Sequence, residues 1–191
     1  MAEPRVPLLA KEAAAKAAEE VGLLPQMAEL NVFRALLHHP QVAQAVQDLL
    51  VSLLFRGSLD ARLRELLIMR LGWQTGSVYE WTQHWRVALE LGVSDQDLLA
   101  VRDWRASDRF SAADRAVLAA TDETLEAGAI SPETWAALEK EIGDPNDPTV
   151  LIELVAAIGT WRMISSVLRS LEIPLEDGVE QWPPDGKIPT G

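Results

Sequence analysis

Glu65, Glu80 and His84 are the residues whose types and spacing could do chemistry in this chain. Two carboxylates and an imidazole can form a proton relay, in which buried acids tune the imidazole to give and take protons near neutral pH. Glu80 and His84 are one helical turn apart and so share a face. On a helix projected from Val78 they fall with Val87 and Leu91, beside an apolar stripe of Trp81, Trp85, Ala88 and Leu89. Tyr79, Thr82, Gln83, Arg86 and Glu90 form the expected wet side. Glu65 belongs to the preceding helix, where Ala61, Ile68 and Met69 share its face and should remove it from water. Acids and imidazoles on buried edges are costly unless paired or used.

Each of the three also has a structural role open to it. Ser77-x-x-Glu80 has capping-box spacing, which would turn the Glu80 carboxylate back to the Ser77 amide. His84 could be a satisfied core histidine, and Glu65 could pair with Arg62 or Arg64 of its own helix. Glu65, Glu80 and His84 could instead ligate a metal as a facial carboxylate/histidine set.

Two helices joined by a Gly/Ser turn must position these groups. The first is expected from Ser58, as N-cap, to about Leu71, with apolar residues on nearly every side from Leu63. The second opens at Ser77 and stops at Gly92. Upstream, residues 11–20 read as an Ala-rich, solvent-facing helix or arm. A short helix with Val32, Leu36 and Leu37 inward follows, and the adjacent His38 and His39 close it. Residues 41–56 read as a helix burying Val42, Ala45, Val46, Leu49, Leu53 and Leu54. Downstream, Ser94/Asp97 and Ser111/Asp114 mark helix starts. Gly128 marks a stop, and Ser131-Pro132 begins a helix with Trp135, Leu138 and Ile142 inward. A last helix, about 149–171, is apolar all round from Val150 to Ile158. Its Gly159 suggests close contact with a neighbouring backbone, and Arg162 is a candidate anchor for a substrate carboxylate. With no strand pattern, the fold class is all-α in a single domain. The expected divisions are an N-terminal arm over 1–24, a helical domain over 25–173 and a Pro/Gly-rich tail over 174–191.

Composition excludes whole classes of function. The chain has no cysteine, which rules out disulfides, thiolate catalysis, iron–sulfur ligation and cysteine-based zinc sites. A net charge of −12 argues against nucleic acid and against anionic membrane surfaces. No apolar run is read as long enough to span a bilayer, and the amino-terminal residues lack a signal-peptide pattern, so a cytoplasmic location is expected.

Residues 59–101, with their arginine- and glutamate-bearing buried helix, the Tyr79-Glu80-Trp81 and His84 segment and the Gly92-Val93-Ser94 turn, resemble the core of the carboxymuconolactone decarboxylase family, within the alkylhydroperoxidase D-like superfamily. Residues 33–50 and 114–138 are similar to the family too, so the resemblance covers most of 30–172. In the peroxidase branch the pattern is a glutamate followed by Cys-x-x-Cys-x-x-x-His. By the resemblance, the glutamate falls on Glu65, the histidine on His84 and the two cysteines on Ser77 and Glu80. Neither serine nor glutamate replaces a redox thiolate, so peroxidase chemistry is excluded while the proton relay survives.

The resemblance implies an alkylhydroperoxidase D-like helical bundle that assembles as a trimer or hexamer, with its site near the 59–92 helix pair. It further implies a decarboxylase-like lyase, or a related isomerase or hydrolase, acting without cofactor on a small carboxylated lactone or acid of aromatic catabolism. His84 would be the general acid/base and Glu80 and Glu65 its partners. Tyr79, Trp81 and Trp73 would shape the substrate site, and Arg162 or Arg70 would hold the substrate anion. A non-catalytic oligomeric binding protein of the same fold is the alternative.

Overall fold

The computed structural model describes residues 3–189. Helices account for the architecture, and among the described residues the only β pairing is an isolated bridge between Asp144 and Asp147. The chain divides into two compact units, one formed by residues up to Gly57 with Ser166–Val179, the other by Ser58–Ser165 with the residues from Glu180 on.

The first unit holds α1 (Lys11–Glu20), α2 (Pro25–Ala28), α3 (Asn31–Leu36) and α4 (Pro40–Phe55). α1 is amphipathic, burying Ala14 and Ala18 rather than lying wholly in solvent. α4 buries Ala43, Gln47 and Leu53, a face rotated from the expected one, and Val42 and Leu49 are exposed. The polar Gln47 lies inward because its Oε1 accepts from the Leu24 amide at 2.5 Å. Hydrophobicity alone could not have placed it there. His38 Nε2 lies 2.8 Å from the Pro7 carbonyl, so that imidazole ties down the segment before α1.

The second unit is built around α5 (Ala61–Thr75), which packs against α6 (Val78–Glu90) and α8 (Ala112–Ala127). Asp60, not Ser58, is the N-cap of α5: its side chain accepts from the Arg62 and Leu63 amides. Ser58 instead donates its backbone N–H to Glu153 Oε2 at 2.6 Å, as Leu59 does at 3.0 Å. Every residue from Leu63 to Gly72 is buried. Gly76, at φ 66°, ends the helix in the left-handed conformation that glycine adopts without a Cβ clash.

Between α6 and α8 run α7 (Asp95–Ala100) and a 3-10 turn over Val101–Ala106. α8 carries the full Ser111/Asp114 capping box and stops at Gly128. α9 (Pro132–Glu141) buries Thr134 and Leu138, whereas Trp135 lies outward and donates its indole N–H to Glu139 at 2.9 Å.

α10 (Thr149–Leu171) contributes its residues to Ser165 to this unit. At 23 residues it is, by length and composition, apolar enough to cross a membrane, contrary to the expectation from sequence, and half of that stretch is buried within the protein. Gly159 does not mark a close approach: it is exposed, and a Cβ there would meet nothing within 4 Å.

Most of the tryptophans gather in one cluster. Trp73, Trp81, Trp85 and Trp182 pack with ring centroids between 5.3 and 6.0 Å apart. Trp81 donates its indole N–H to the Pro183 carbonyl at 2.8 Å, and the Trp182 amide donates to Thr82 Oγ1 at 3.2 Å. The Arg102 guanidinium lies 4.5 Å from the Trp73 ring centre and grips Asp185 with two bonds. The end of the described chain is thus fastened to α6 on the face beside the one bearing Glu80 and His84.

Candidate functional site

Glu65 reaches the site from the middle of α5 and is wholly buried. Glu80 and His84 project from consecutive turns of α6, and Trp161 comes from α10. The close packing of the helices begins at Gly72, where a Cβ would stand 3.1 Å from the Trp81 nitrogen and 3.5 Å from the Glu80 Cβ. Glycine there lets α6 approach α5 closely enough for Glu65 and His84 to meet.

The imidazole is held from both sides. His84 Nδ1 lies 2.8 Å from Glu65 Oε2, and His84 Nε2 lies 3.5 Å from Glu80 Oε2 and 3.2 Å from the Trp161 indole nitrogen. A carboxylate only accepts, so Nδ1 carries the proton towards Glu65. Glu65 is held in turn by Arg64, whose Nε donates to its Oε1 at 3.1 Å. Only 12% of the His84 side chain is open to solvent.

Burial pushes the charges in different directions. Burial would raise the Glu65 carboxyl, but the charge and hydrogen bonds of His84 and Arg64 outweigh it and hold Glu65 below its ordinary range. Burial would drive His84 towards the neutral form, yet Glu65, with Glu80 beyond it, raises the imidazole above its ordinary value. Glu80 goes up: burial dominates, and the nearby Glu65 charge adds to it against the pull of His84 and Trp161. Two carboxyls beside one imidazole, pushed apart in pKa, form an arrangement that can hold and pass a proton.

The capping-box role for Glu80 is not realised. Ser77 is the N-cap of α6, but it makes no side-chain cap bond, and its amide donates to the Gly72 carbonyl at 2.9 Å. Continuation of the chain from α5 occupies the amide that Glu80 was expected to take. The Ser77 hydroxyl is left buried without a protein partner. The metal reading also loses its geometry, because the two imidazole nitrogens face different carboxylates and three donors cannot converge on one ion. Among the described residues no set of three His, Asp or Glu is arranged to hold a metal.

The expected substrate contacts separate into different places. Arg70 is buried and committed to structure: it donates twice to Asp122, at 2.6 and 3.0 Å, and to the Val101 and Arg102 carbonyls. Arg162 is exposed, with Nη1 donating to the Thr124 carbonyl at 3.1 Å. The Arg70 guanidinium is not brought to His84 by these contacts, since its donors are spent on a carboxylate and two carbonyls. Trp73 and Trp81 take their ring partners from the tryptophan cluster. Tyr79 and Thr82, assigned to the wet side of α6, are buried, while Leu89, assigned to its apolar stripe, is exposed. The return of residues 182–183 onto α6 covers Thr82, which helical projection could not foresee.

The aromatic beside His84 is Trp161, with ring centroids 5.7 Å apart and planes at 80°. It was legible in part: Leu154, Ile158, Trp161 and Ser165 follow helical spacing along one buried stripe of α10, but nothing in that spacing sets Trp161 apart from the rest of the stripe.

The carboxymuconolactone decarboxylase family profile matches residues 40–123, which include α5, α6, Glu65, Glu80 and His84. No curated protein matches the chain. Among solved structures, an uncharacterized peroxidase-related protein with an alkylhydroperoxidase core from Ralstonia eutropha JMP134 is similar at a TM-score of 0.73 and 15% identity, over 93% of this chain and 94% of that one. A protein of unknown function from Agrobacterium tumefaciens, a putative AhpD, is similar at 0.65 and 20%, over 74% and 96%. The debrominase Bmp8 is similar at 0.66 and 18%, over 87% and 86%, and a cysteine-to-alanine form of it is known in complex with 2,3,4-tribromopyrrole. The carboxymuconolactone decarboxylase family profile thus spans the site helices, and the fold around them is the one that the alkylhydroperoxidase-core structures share over most of the chain.

Proposed function

We propose that this protein is a carboxymuconolactone decarboxylase-like enzyme using cofactor-free general acid/base chemistry on a small carboxylated lactone or a related acid of aromatic catabolism. The observation that carries the reading is the placement of the His84 imidazole between Glu65 and Glu80, in a setting where the cap role of Glu80 is absent. A buried acid without the cap role, set beside a tuned imidazole, is better explained by proton transfer than by folding. For the same reason the non-catalytic alternative is weaker.

In the proposed step the bond to the leaving carboxylate breaks, carbon dioxide departs, and the electron pair moves into the conjugated lactone system. His84 Nε2–H then delivers a proton to the resulting carbon, while Glu65 keeps Nδ1 oriented and Glu80 returns a proton to Nε2. No sulfur is needed, because no electrons are exchanged. The buried Ser77 hydroxyl, one turn before Glu80, is a polar contact for the substrate in place of Arg70 and Arg162.

The same reading takes the protein as a homo-oligomer, a trimer or hexamer. Support comes from α10, where Ile152, Val155 and Met163 are exposed on one face with Gly159 among them. Such an apolar strip is costly in water and fits a second copy. Light scattering on the purified chain tests the assembly.

The test of function is a screen of carboxylated lactones and small aromatic acids, read by carbon dioxide release or mass change. The likeness to a debrominase adds small halogenated rings to that screen. On a turned-over substrate, His84→Ala should lower the rate by about a hundredfold or more with an unchanged circular dichroism spectrum. A fully active variant ends the reading.

A further inference from the structure

Trp161 is almost completely buried, and its indole nitrogen stands 3.2 Å from His84 Nε2. An indole N–H can only donate, so at this contact Nε2 presents its lone pair. Glu80 Oε2 lies 3.5 Å from the same imidazole nitrogen, and the Trp161 indole lies near enough to the Glu80 carboxyl to pull it down against the effect of burial. One buried donor therefore has two acceptors in reach. When Nε2 takes up a proton, two N–H groups face each other and repel, and only Glu80 remains to accept from the indole.

We propose that Trp161 is a positioning residue whose indole N–H is a two-place donor, sealing the lone pair of neutral His84 and passing to the Glu80 carboxylate when Nε2 is protonated. The exchange couples the two groups: the charged carboxylate gains its donor in the same event that creates the imidazolium. The charged and titratable groups facing His84 are Glu65, with Arg64 behind it, from α5 and Glu80 from α6, while α10 contributes the indole. A substrate reaching Nε2 must displace the N–H, and Glu80 is the place that receives it. The inference deepens the acid/base reading of His84 and rests on it for its catalytic meaning, but the exchange itself is measurable without substrate.

The experiment is a nitrogen-15 NMR titration of the full chain labelled at histidine and tryptophan. With three histidines in the sequence, the His84 ring signals are assigned by their loss in His84→Ala, and the Trp161 indole by its loss in Trp161→Phe. The Trp161 indole N–H is expected to shift with the same midpoint as the His84 ring nitrogens. An indole signal that stays still through the His84 titration overturns the proposal.

A second comparison uses Glu80→Gln, alone and combined with Trp161→Phe, so that the Glu80 charge is absent from both. Loss of the donor to neutral His84 should move its midpoint to higher pH, and an unmoved midpoint argues for a packing role only. If the double variant does not fold, assignment by backbone experiments lets the unmodified chain decide alone. A coupled titration in a protein that turns over no substrate would sink the enzymatic reading and leave the donor exchange standing. Turnover with uncoupled titrations would do the reverse.

Discussion

A side chain on Gly72 would bring its Cβ within 3.1 Å of the Trp81 backbone nitrogen, a contact tight enough that α6 must give by a few tenths of an ångström. The obstructing atom belongs to a helix backbone, which cannot swing aside as the end of a side chain can. The distance between Glu65 and His84 therefore depends on the absence of a methyl group two helical turns away from Glu65.

Gly72→Ala should accordingly destabilise the protein. Alanine gains up to about 1 kcal/mol of helix propensity over glycine, but forcing apart two packed helices costs about 1–3 kcal/mol. The expected net result is a lower thermal midpoint together with weaker coupling of Glu65 to His84. A raised midpoint would show that α6 can shift without penalty.

The Glu65–His84 pair should stabilise the fold within a bounded pH window. Glu65 has a folded pKa below its ordinary 4.5, so its contribution is present above that value and is lost as pH falls through the lowered one. His84 has a folded pKa above its ordinary 6.5, so its contribution is full below 6.5 and is lost as pH rises through the raised one. Denaturant unfolding of the unmodified chain and Glu65→Gln across pH should differ most between those limits and converge on either side. A difference that is flat with pH would mean that the pair is not linked to folding.

Glu80 should behave in the opposite way to a stabilising acid. Its folded pKa lies above the ordinary 4.5, so the folded state prefers the neutral carboxyl and stability falls as pH rises through the raised value. Glu80→Gln, which keeps the shape and removes the charge, should therefore make the protein more stable at neutral pH while slowing turnover. Thermal melts and rate measurements on the same preparation check both halves. A variant that loses stability at neutral pH would restore a structural role to Glu80.

Arg70→Ala is expected to act on folding, not on affinity. The substitution leaves Asp122, which is almost fully buried, without its paired arginine, although Trp104 and Arg105 still donate to it. Breaking such a pair costs about 3–5 kcal/mol. Soluble yield and unfolding midpoint should fall, while any folded fraction keeps its KM. A selective rise in KM with unchanged stability would return Arg70 to the substrate site.

The sequence by itself determined the helical class, most helix stops and starts, and the burial of Glu65. These follow from local causes: apolar periodicity, the Ser111/Asp114 capping box, Ser131-Pro132 and the glycines at 76, 92 and 128 are read within a few residues of where they act. Helical spacing also brought Glu80 and His84 onto one face, and two adjoining helices made a meeting with Glu65 plausible. Only the tertiary structure decided which neighbours those groups would have. Residues 182–183 return onto Thr82 and Trp81, Asp122 engages Arg70 across 52 positions of sequence, and α10 delivers Trp161 to an imidazole 77 positions away. A side chain's partner is fixed by packing between distant segments, and periodicity along one helix carries no information about which distant residue will arrive at its face.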